Sequence, residues 1–297
     1  MDSLTMPSPA KVNLRLEVLW KRKDGYHELK TIIQRIDLCD TLEISLVVGE
    51  GLHVSCEGEG APQGVDNIVY HAAKSILDRY NKNVGIRIFI KKRIPLAAGL
   101  GGGSSNAATT LMALNKLLGL GLTKNELMRM GTQLGADVPF FILEKPALAT
   151  GIGDRLKEIE LPSPIWMVLI NPKISVSTAW VYKNLNIRLT RKGNNINMLP
   201  LRLAISDLAD FLHNDLETVT IKEYPEIQGI KEQLVNKGAT GSLMSGSGPT
   251  VFGIFPNKKT ADKAFHELSC ANPAYTLFLS SSFDNINQGG INGSNGS

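Results

Sequence analysis

The stretch Pro95-Leu96-Ala97-Ala98-Gly99-Leu100-Gly101-Gly102-Gly103-Ser104-Ser105-Asn106 restricts the fold of this chain more than any other. Ile86, Ile88 and Ile90 alternate just before it, as in a strand, and Ala107, Leu111, Leu114 and Leu118 follow it at helical spacing. A strand therefore passes through a glycine-rich loop directly into a helix. Glycine lets the backbone turn its amides inward and approach a ligand closely. The helix start behind it adds unpaired N–H groups and a positive dipole end. Together these form an anion cradle suited to phosphate, with the Ser104 and Ser105 hydroxyls available to phosphate oxygens or a magnesium ion. A flexible turn with a good N-cap would account for most such loops. Here four glycines and two serines lead straight into an apolar helix, which favours phosphate. Two rival loops are excluded: no Gly-Lys-Ser/Thr occurs in the chain, and the G-x-G that opens at Gly99 ends on Ser104 where a dinucleotide fingerprint needs glycine.

The rest of the sequence bounds the class. A chain of 297 residues, 43% hydrophobic and 20% charged, can bury one large core or two medium ones. Its net charge of +4 is small and evenly spread, so no nucleic-acid surface is expected. Cys39, Cys56 and Cys270 lie far apart without a C-x-x-C pair, and the five histidines never fall at H-x-x-x-H spacing. Neither a disulfide framework nor a protein-built metal site is expected. Apolar runs such as Ile165 to Ile170 are far too short for a membrane span, and Met1-Asp2-Ser3-Leu4 opens no signal peptide. The expectation is a cytoplasmic protein.

Ala10, Val12, Leu14, Leu16 and Val18 alternate with polar residues, predicting a half-buried strand whose polar face carries Lys11 and Asn13. Asp24-Gly25 marks a turn, and Leu42, Ile44, Leu46 and Val48 a further strand. Ile68 to Leu77 predict a helix starting after Asp66-Asn67, and Thr123 with Glu126 a capping box for a helix ended by Gly135. Gly151-Ile152-Gly153-Asp154 reads as a turn, with a composition change over 155–163. Beyond it come a strand at 165–170, a polar loop at 183–198, helices at 205–221 and from Ile227 to Gly238, a strand at 250–255, a helix at 261–268 and a strand at 275–279. From Asp284 the chain is nearly all Asn, Gly and Ser, and is expected to be disordered.

Asp137, in Gly135-Ala136-Asp137-Val138-Pro139, taken alone is a turn aspartate, and Lys11 taken alone a solvated lysine. Order ties such fragments together. Ser8-Pro9-Ala10-Lys11-Val12-Asn13-Leu14, Asp24-Gly25-Tyr26-His27-Glu28-Leu29, the glycine loop, Gly135 to Phe140 and Ser245-Gly246-Ser247-Gly248-Pro249-Thr250 together resemble the GHMP kinase superfamily. Asp24-Gly25-Tyr26-His27, and Asn214-Asp215-Leu216-Glu217 followed by Tyr224-Pro225-Glu226-Ile227, narrow the resemblance to the branch acting on a cytidine diphosphate-linked methylerythritol. It runs from about Ser8 to about Phe283.

The resemblance implies an α+β, two-domain GHMP kinase fold with the active site in the interdomain cleft. An ATP-binding domain would span 1–158, a C-terminal domain 159–283, and a tail 284–297. The reaction implied is transfer of the γ-phosphoryl group of ATP to the 2-hydroxyl of the methylerythritol moiety, in the non-mevalonate isoprenoid pathway. Pro95 to Ser105 would wrap the triphosphate, and Asn67, with Ile68 and Val69, would meet adenine and its ribose. Asp137 is implied as base, with Lys11 beside it and Asn13 orienting the substrate. Tyr26 is implied to stack on cytosine, His27 to hydrogen-bond its edge, and Tyr182 to cover its other face. Thr178 belongs to the same subsite, and Gly246 and Ser247 close the site from the second domain. The stretch around Thr178 departs from the proline-rich family pattern. Magnesium would arrive with ATP, with Ser105 its one protein ligand, because the superfamily's magnesium-binding glutamate has no counterpart here. The partners implied are the two substrates, without nucleic acid or membrane, in a monomer or weak homodimer. A mevalonate- or homoserine-type kinase lacks the need for Tyr26-His27. A silent nucleotide-binding regulator is not expected to keep both Lys11 and Asp137, and an RNA-binding protein draws support only from the +4 charge.

Overall fold

In the computed structural model, described for residues 2–49, 51–58, 60–80, 84–186 and 205–283, two long strands dominate. β1 (Ser3–Lys21) and β2 (His27–Val47) pair antiparallel along nearly their whole length around the Asp24-Gly25 turn. Strands this long exceed the usual 3–10 residues, and they bend through irregularities near Pro9, Asn13 and Val18. The apolar residues Ile32, Ile33 and Ile36 and the alternating run from Leu42 belong to this one strand. Its far edge is shared: residues 41–47 pair with β4 (Gly85–Lys91), and residues 29–33 with β5 (Ala147–Gly151). β3 (Leu52–Glu57) lies parallel to β4, and β6 (Arg155–Glu158) folds back on β5 across the Gly151–Asp154 turn.

One face of this sheet is covered by α1 (Ile68–Arg79), α2 (Gly102–Leu117), α3 (Lys124–Leu134) and α4 (Val138–Leu143), around a core including Ile44, Ile88, Val69, Leu111 and Phe140. The capping box at Thr123 and Glu126 is formed in full, and Gly135 closes α3. The second sheet runs β11 (Thr276–Ser281), β7 (Trp166–Asn171), β10 (Val251–Phe255), β9 (Gly241–Met244). Its central strands β7 and β10 are apolar along nearly their whole length because both of their faces are buried. Val168, Ile170 and Val251 pack on α8 (Glu226–Asn236) and α9 (Lys258–Ala271). Met167, Leu169, Phe252 and Ile254 meet Ala10, Val12, Leu14, Ile32 and Ile36 of the first sheet. The two sheets therefore share a core, which fixes one against the other.

The sequence reading left β3, β5, β6, β9 and α4 unread, and three further features differ from it. The polar face of β1 is not solvated: Lys11, Asn13 and Arg15 are each about 95% buried, because the glycine loop and second-sheet loops cover them. The helix expected over 205–221 is instead α6 (Ile205–Phe211) and α7 (Glu217–Glu223), broken by a two-residue strand β8 (His213–Asn214) that joins the edge of β1 in parallel. A further helix, α5 (Thr178–Asn184), is capped by the Ser177 hydroxyl. The tail from Asp284 and most of the polar loop at 183–198 lie outside the described residues. Among the described residues no helix is long and apolar enough to cross a membrane.

Candidate active site

The expected site residues converge because β1, the β4–α2 loop and the β9–β10 loop meet at one point. The Lys11 amide donates to the Leu100 carbonyl at 2.9 Å, docking the glycine loop on β1. Ser245 completes the junction: its hydroxyl donates to the Gly99 carbonyl at 2.9 Å and accepts from the Asn13 amide at 3.4 Å. Gly99 adopts φ +75°, and a Cβ there would lie 2.1 Å from the Ser245 carbonyl oxygen, so the approach requires glycine. Gly101, also left-handed, caps α2, leaving the helix start open toward a cavity of about 650 Å³.

That cavity is lined by the loop from Pro95 to Ser104 except Leu100, with Lys11, Asn13, Asn67, Asp137, Thr178, Tyr182, Gly246 and Ser247. Leu100 and Ser105 point elsewhere. Ser105 is fully buried, and its hydroxyl accepts from Ser8 at 2.8 Å, so Ser104 is the serine facing the cavity. At one end Asn67 caps α1, its side-chain oxygen accepting from the Val69 amide and its nitrogen donating to the Pro62 carbonyl.

Near the middle, the Lys11 ammonium lies 3.7 Å from the Asp137 carboxylate and donates to Asn13 Oδ1 at 2.6 Å. Asn13 in turn donates to the Thr31 hydroxyl at 2.8 Å, and Thr31 to the Arg15 carbonyl at 2.7 Å. This chain fixes Asn13's amide with its oxygen toward the ammonium. Asp137 precedes α4 and makes no side-chain cap bond to it, so its carboxylate is not consumed by helix capping.

At the other end, His27 stacks on Tyr182 with ring centroids 5.2 Å apart and an interplanar angle of 26°. The two rings thus touch each other and form one aromatic wall. Tyr26, 61% exposed, lies beside it. Tyr26 and His27 line an adjoining recess of about 550 Å³, whose lining shares Leu29, Ile152, Thr178 and Tyr182 with the main cavity. Burial, helped by the charge of Lys21, holds the His27 imidazole below its ordinary pKa. Burial, and secondarily the Asp137 carboxylate, pushes the Tyr182 phenol up, so it stays protonated.

Sequence reading missed Asp40 and Lys92. Asp40, fully buried in β2, accepts from the amides of Arg93 and Ile94 at 2.8 Å each and from Asn106, and pairs with the Lys92 ammonium. Lys92 also lines the cavity beside Gly102. The basic run Lys91-Lys92-Arg93 directly ahead of the glycine loop was the signal available. Among the described residues no group of three His, Cys, Asp or Glu side chains could hold a metal ion.

Residues 67–145 match the family model described as GHMP kinases N terminal domain, and residues 198–274 that described as GHMP kinases C terminal. A 4-diphosphocytidyl-2-C-methyl-D-erythritol kinase of Geobacter sp. (strain M21) is 54% identical over 269 residues, covering 90% of this chain and 95% of the relative. A protein of the same name from Citrifermentans bemidjiense is 52% identical over 271 residues, covering 91% and 96%. A crystal structure of 4-(cytidine 5'-diphospho)-2C-methyl-D-erythritol kinase superposes with a TM-score of 0.81 at 35% identity, covering 94% of this chain and 98% of that one.

Proposed function

Since the chain belongs to the 4-diphosphocytidyl-2-C-methyl-D-erythritol kinase family of the GHMP kinases, and is thereby an ATP-dependent small-molecule kinase, we propose that it phosphorylates the 2-hydroxyl of 4-diphosphocytidyl-2-C-methyl-D-erythritol. The observation that carries this reading is a cavity that runs from the open start of α2, past the Lys11–Asp137 pair, to Tyr182, where the Tyr26–His27 recess adjoins it across a shared lining.

In this reading the triphosphate lies in the Pro95–Ser104 loop, bound by backbone amides and the α2 dipole. Adenine sits toward Asn67. Phosphoryl transfer needs positioning and charge stabilisation more than covalent chemistry from the protein. Asp137 accepts the proton of the attacking 2-hydroxyl, and its carboxylate is free of capping duty to do so. The Lys11 ammonium, oriented by Asn13 and desolvated by burial, faces charge on the transferring group. Thr178, on the lining shared with the Tyr26–His27 recess, borders the cytosine subsite, and Ser247, its hydroxyl 2.8 Å from that of Thr178, closes the site from the second domain. Tyr26, His27 and Tyr182 take the cytosine, the aromatic wall offering a stacking face. A neutral imidazole, favoured by burial, keeps an acceptor nitrogen as well as an N–H for the base edge. Magnesium brought by ATP would be held by the phosphates with the Ser104 hydroxyl, which lines the cavity. When bound, it neutralises triphosphate charge. The proposed boundaries place residues 1–158 in the nucleotide-binding domain and 159–283 in the second.

The test is ATP-to-ADP turnover with the cytidine compound, with mevalonate and homoserine as controls. Turnover with the cytidine compound alone is expected. Turnover only with a control would keep the kinase and overturn the cytidine subsite.

A further inference from the structure

Asn214-Asp215-Leu216-Glu217 has no place in the chemistry above, and Asn214 does not line the cavity, yet its side chain is 96% buried and fully engaged. Its nitrogen donates to the carbonyls of Met244 at 2.8 Å and Gly246 at 2.7 Å. Its oxygen accepts from the Leu216 amide at 3.0 Å. One carboxamide thus clasps both carbonyls that flank Ser245.

Asn214 is itself fixed to the strand that carries Lys11 and Asn13. It pairs with Leu16 in the β8–β1 bridge, the Asp215 amide donates to the Leu16 carbonyl at 3.0 Å, and the Asp215 carboxylate accepts from the Val18 amide at 2.7 Å. Glu217 steadies the far side of the clasp, accepting from the Met244 amide at 2.8 Å and from Lys231 at 2.6 Å. What the clasp holds is the point where the site is assembled. Ser245 bonds to Gly99 and Asn13, Gly246 lies against Asn13, and Ser247 bonds to Thr178.

We propose that Asn214 is a positioning residue that sets the 245–248 loop against β1. Through Ser245 it aligns the phosphate loop, and through Ser247 it aligns the substrate end. The proposal rests on the kinase reading above and extends it. Aspartate could not substitute, since two carbonyls require two N–H donors from the same group. Loss of the clasp frees a loop on which both substrates depend, and displacement by about 1 Å costs on the order of 100-fold in rate.

The experiment compares wild type with Asn214→Ala and with Asn214→Ser, which keeps one donor and stands in if the alanine variant does not fold. Three readouts are taken at a temperature well below each Tm: kcat and KM with the cytidine compound, ATP Kd by calorimetry, and the same quantities in a Ser245→Ala background. Asn214→Ala should lower kcat/KM by about 10–100-fold and raise ATP Kd by about 3–10-fold, with serine intermediate. In the Ser245→Ala background the effect should shrink, since the two residues act through one loop. A lowered Tm with kcat, KM and ATP Kd unchanged, or full additivity with Ser245→Ala, would overturn the proposal. If wild type fails on the cytidine compound while Asn214→Ala still weakens ATP binding, the substrate assignment falls and the positioning role stands.

Discussion

Gly99→Ala tests the assembly of the site most directly. The added methyl would sit 2.1 Å from the Ser245 carbonyl oxygen, over 1 Å inside an ordinary carbon–oxygen contact of about 3.3 Å. Neither neighbour is a flexible side-chain end; both are backbone, so the glycine loop and the β9–β10 loop must separate by about that distance. Separation breaks the Ser245–Gly99 hydrogen bond and strains the adjoining Lys11–Leu100 bond. An alanine at φ +75° adds about 1–2 kcal/mol on its own. With the lost hydrogen bond the total is about 1.5–3.5 kcal/mol, or a Tm lower by roughly 2–6 °C. Because the loops carry opposite ends of the site, kcat/KM should fall by about 100-fold or more. The paired control is Gly103→Ala, a helical position of α2 where the nearest atom to a new Cβ, Ile68 Cγ2, is 3.8 Å away. There the Tm should hold or rise, because alanine improves on glycine inside a helix by about 0.5–1 kcal/mol. Thermal melts and steady-state kinetics on both proteins decide it. Gly99→Ala with wild-type Tm and kcat/KM would refute the close approach as the reason for that glycine.

Asp137→Asn should lower kcat by about 10²–10⁴-fold while leaving ATP Kd and Tm nearly unchanged, since the carboxylate caps no helix and its pairing with Lys11 is partly exposed; near-wild-type turnover would remove it as base. Tyr182→Ala and Tyr26→Ala should each raise KM for the cytidine compound by roughly 10-fold or more while changing KM for ATP little, from a stacking contribution of about 1–3 kcal/mol. Equal effects on both substrates would count against the aromatic subsite. Burial lowers the His27 pKa, so between that value and the ordinary value of about 6.5 the unfolded chain binds the extra proton. His27's contribution to stability is therefore full above pH 6.5 and declines as pH falls through that window. Melts from pH 5 to 7.5 should show a shallower dependence for His27→Gln than for wild type, and parallel curves would show that His27 does not titrate as described.

The glycine loop, the Thr123–Glu126 capping box and three of the four strands of the second sheet, β7, β10 and β11, were legible because their causes are local. Backbone freedom, cap chemistry and apolar alternation act over a few neighbouring residues. The motif order from Ser8 to Thr250 also carried the family, which the relatives bear out. The break between α6 and α7 was not legible, because the chain at 213–214 is recruited by the free edge of a strand some two hundred residues away. Lys11 and Asn13 gave the alternation of a half-exposed strand, and only packing of the loops over them turned that polar face inward. Asp40 reads as one of several acids along a strand, among them Asp37 and Glu43, until Lys92, Arg93 and Ile94 close around it. The sequence determined which groups this chain has and which local turns and helices present them. The tertiary structure alone decided that Ser104 rather than Ser105 faces the cavity, that His27 leans on Tyr182, and that Asn214 holds Ser245 in place. Those outcomes depend on hydrogen bonds and contacts between segments far apart in the chain, and no local pattern encodes them.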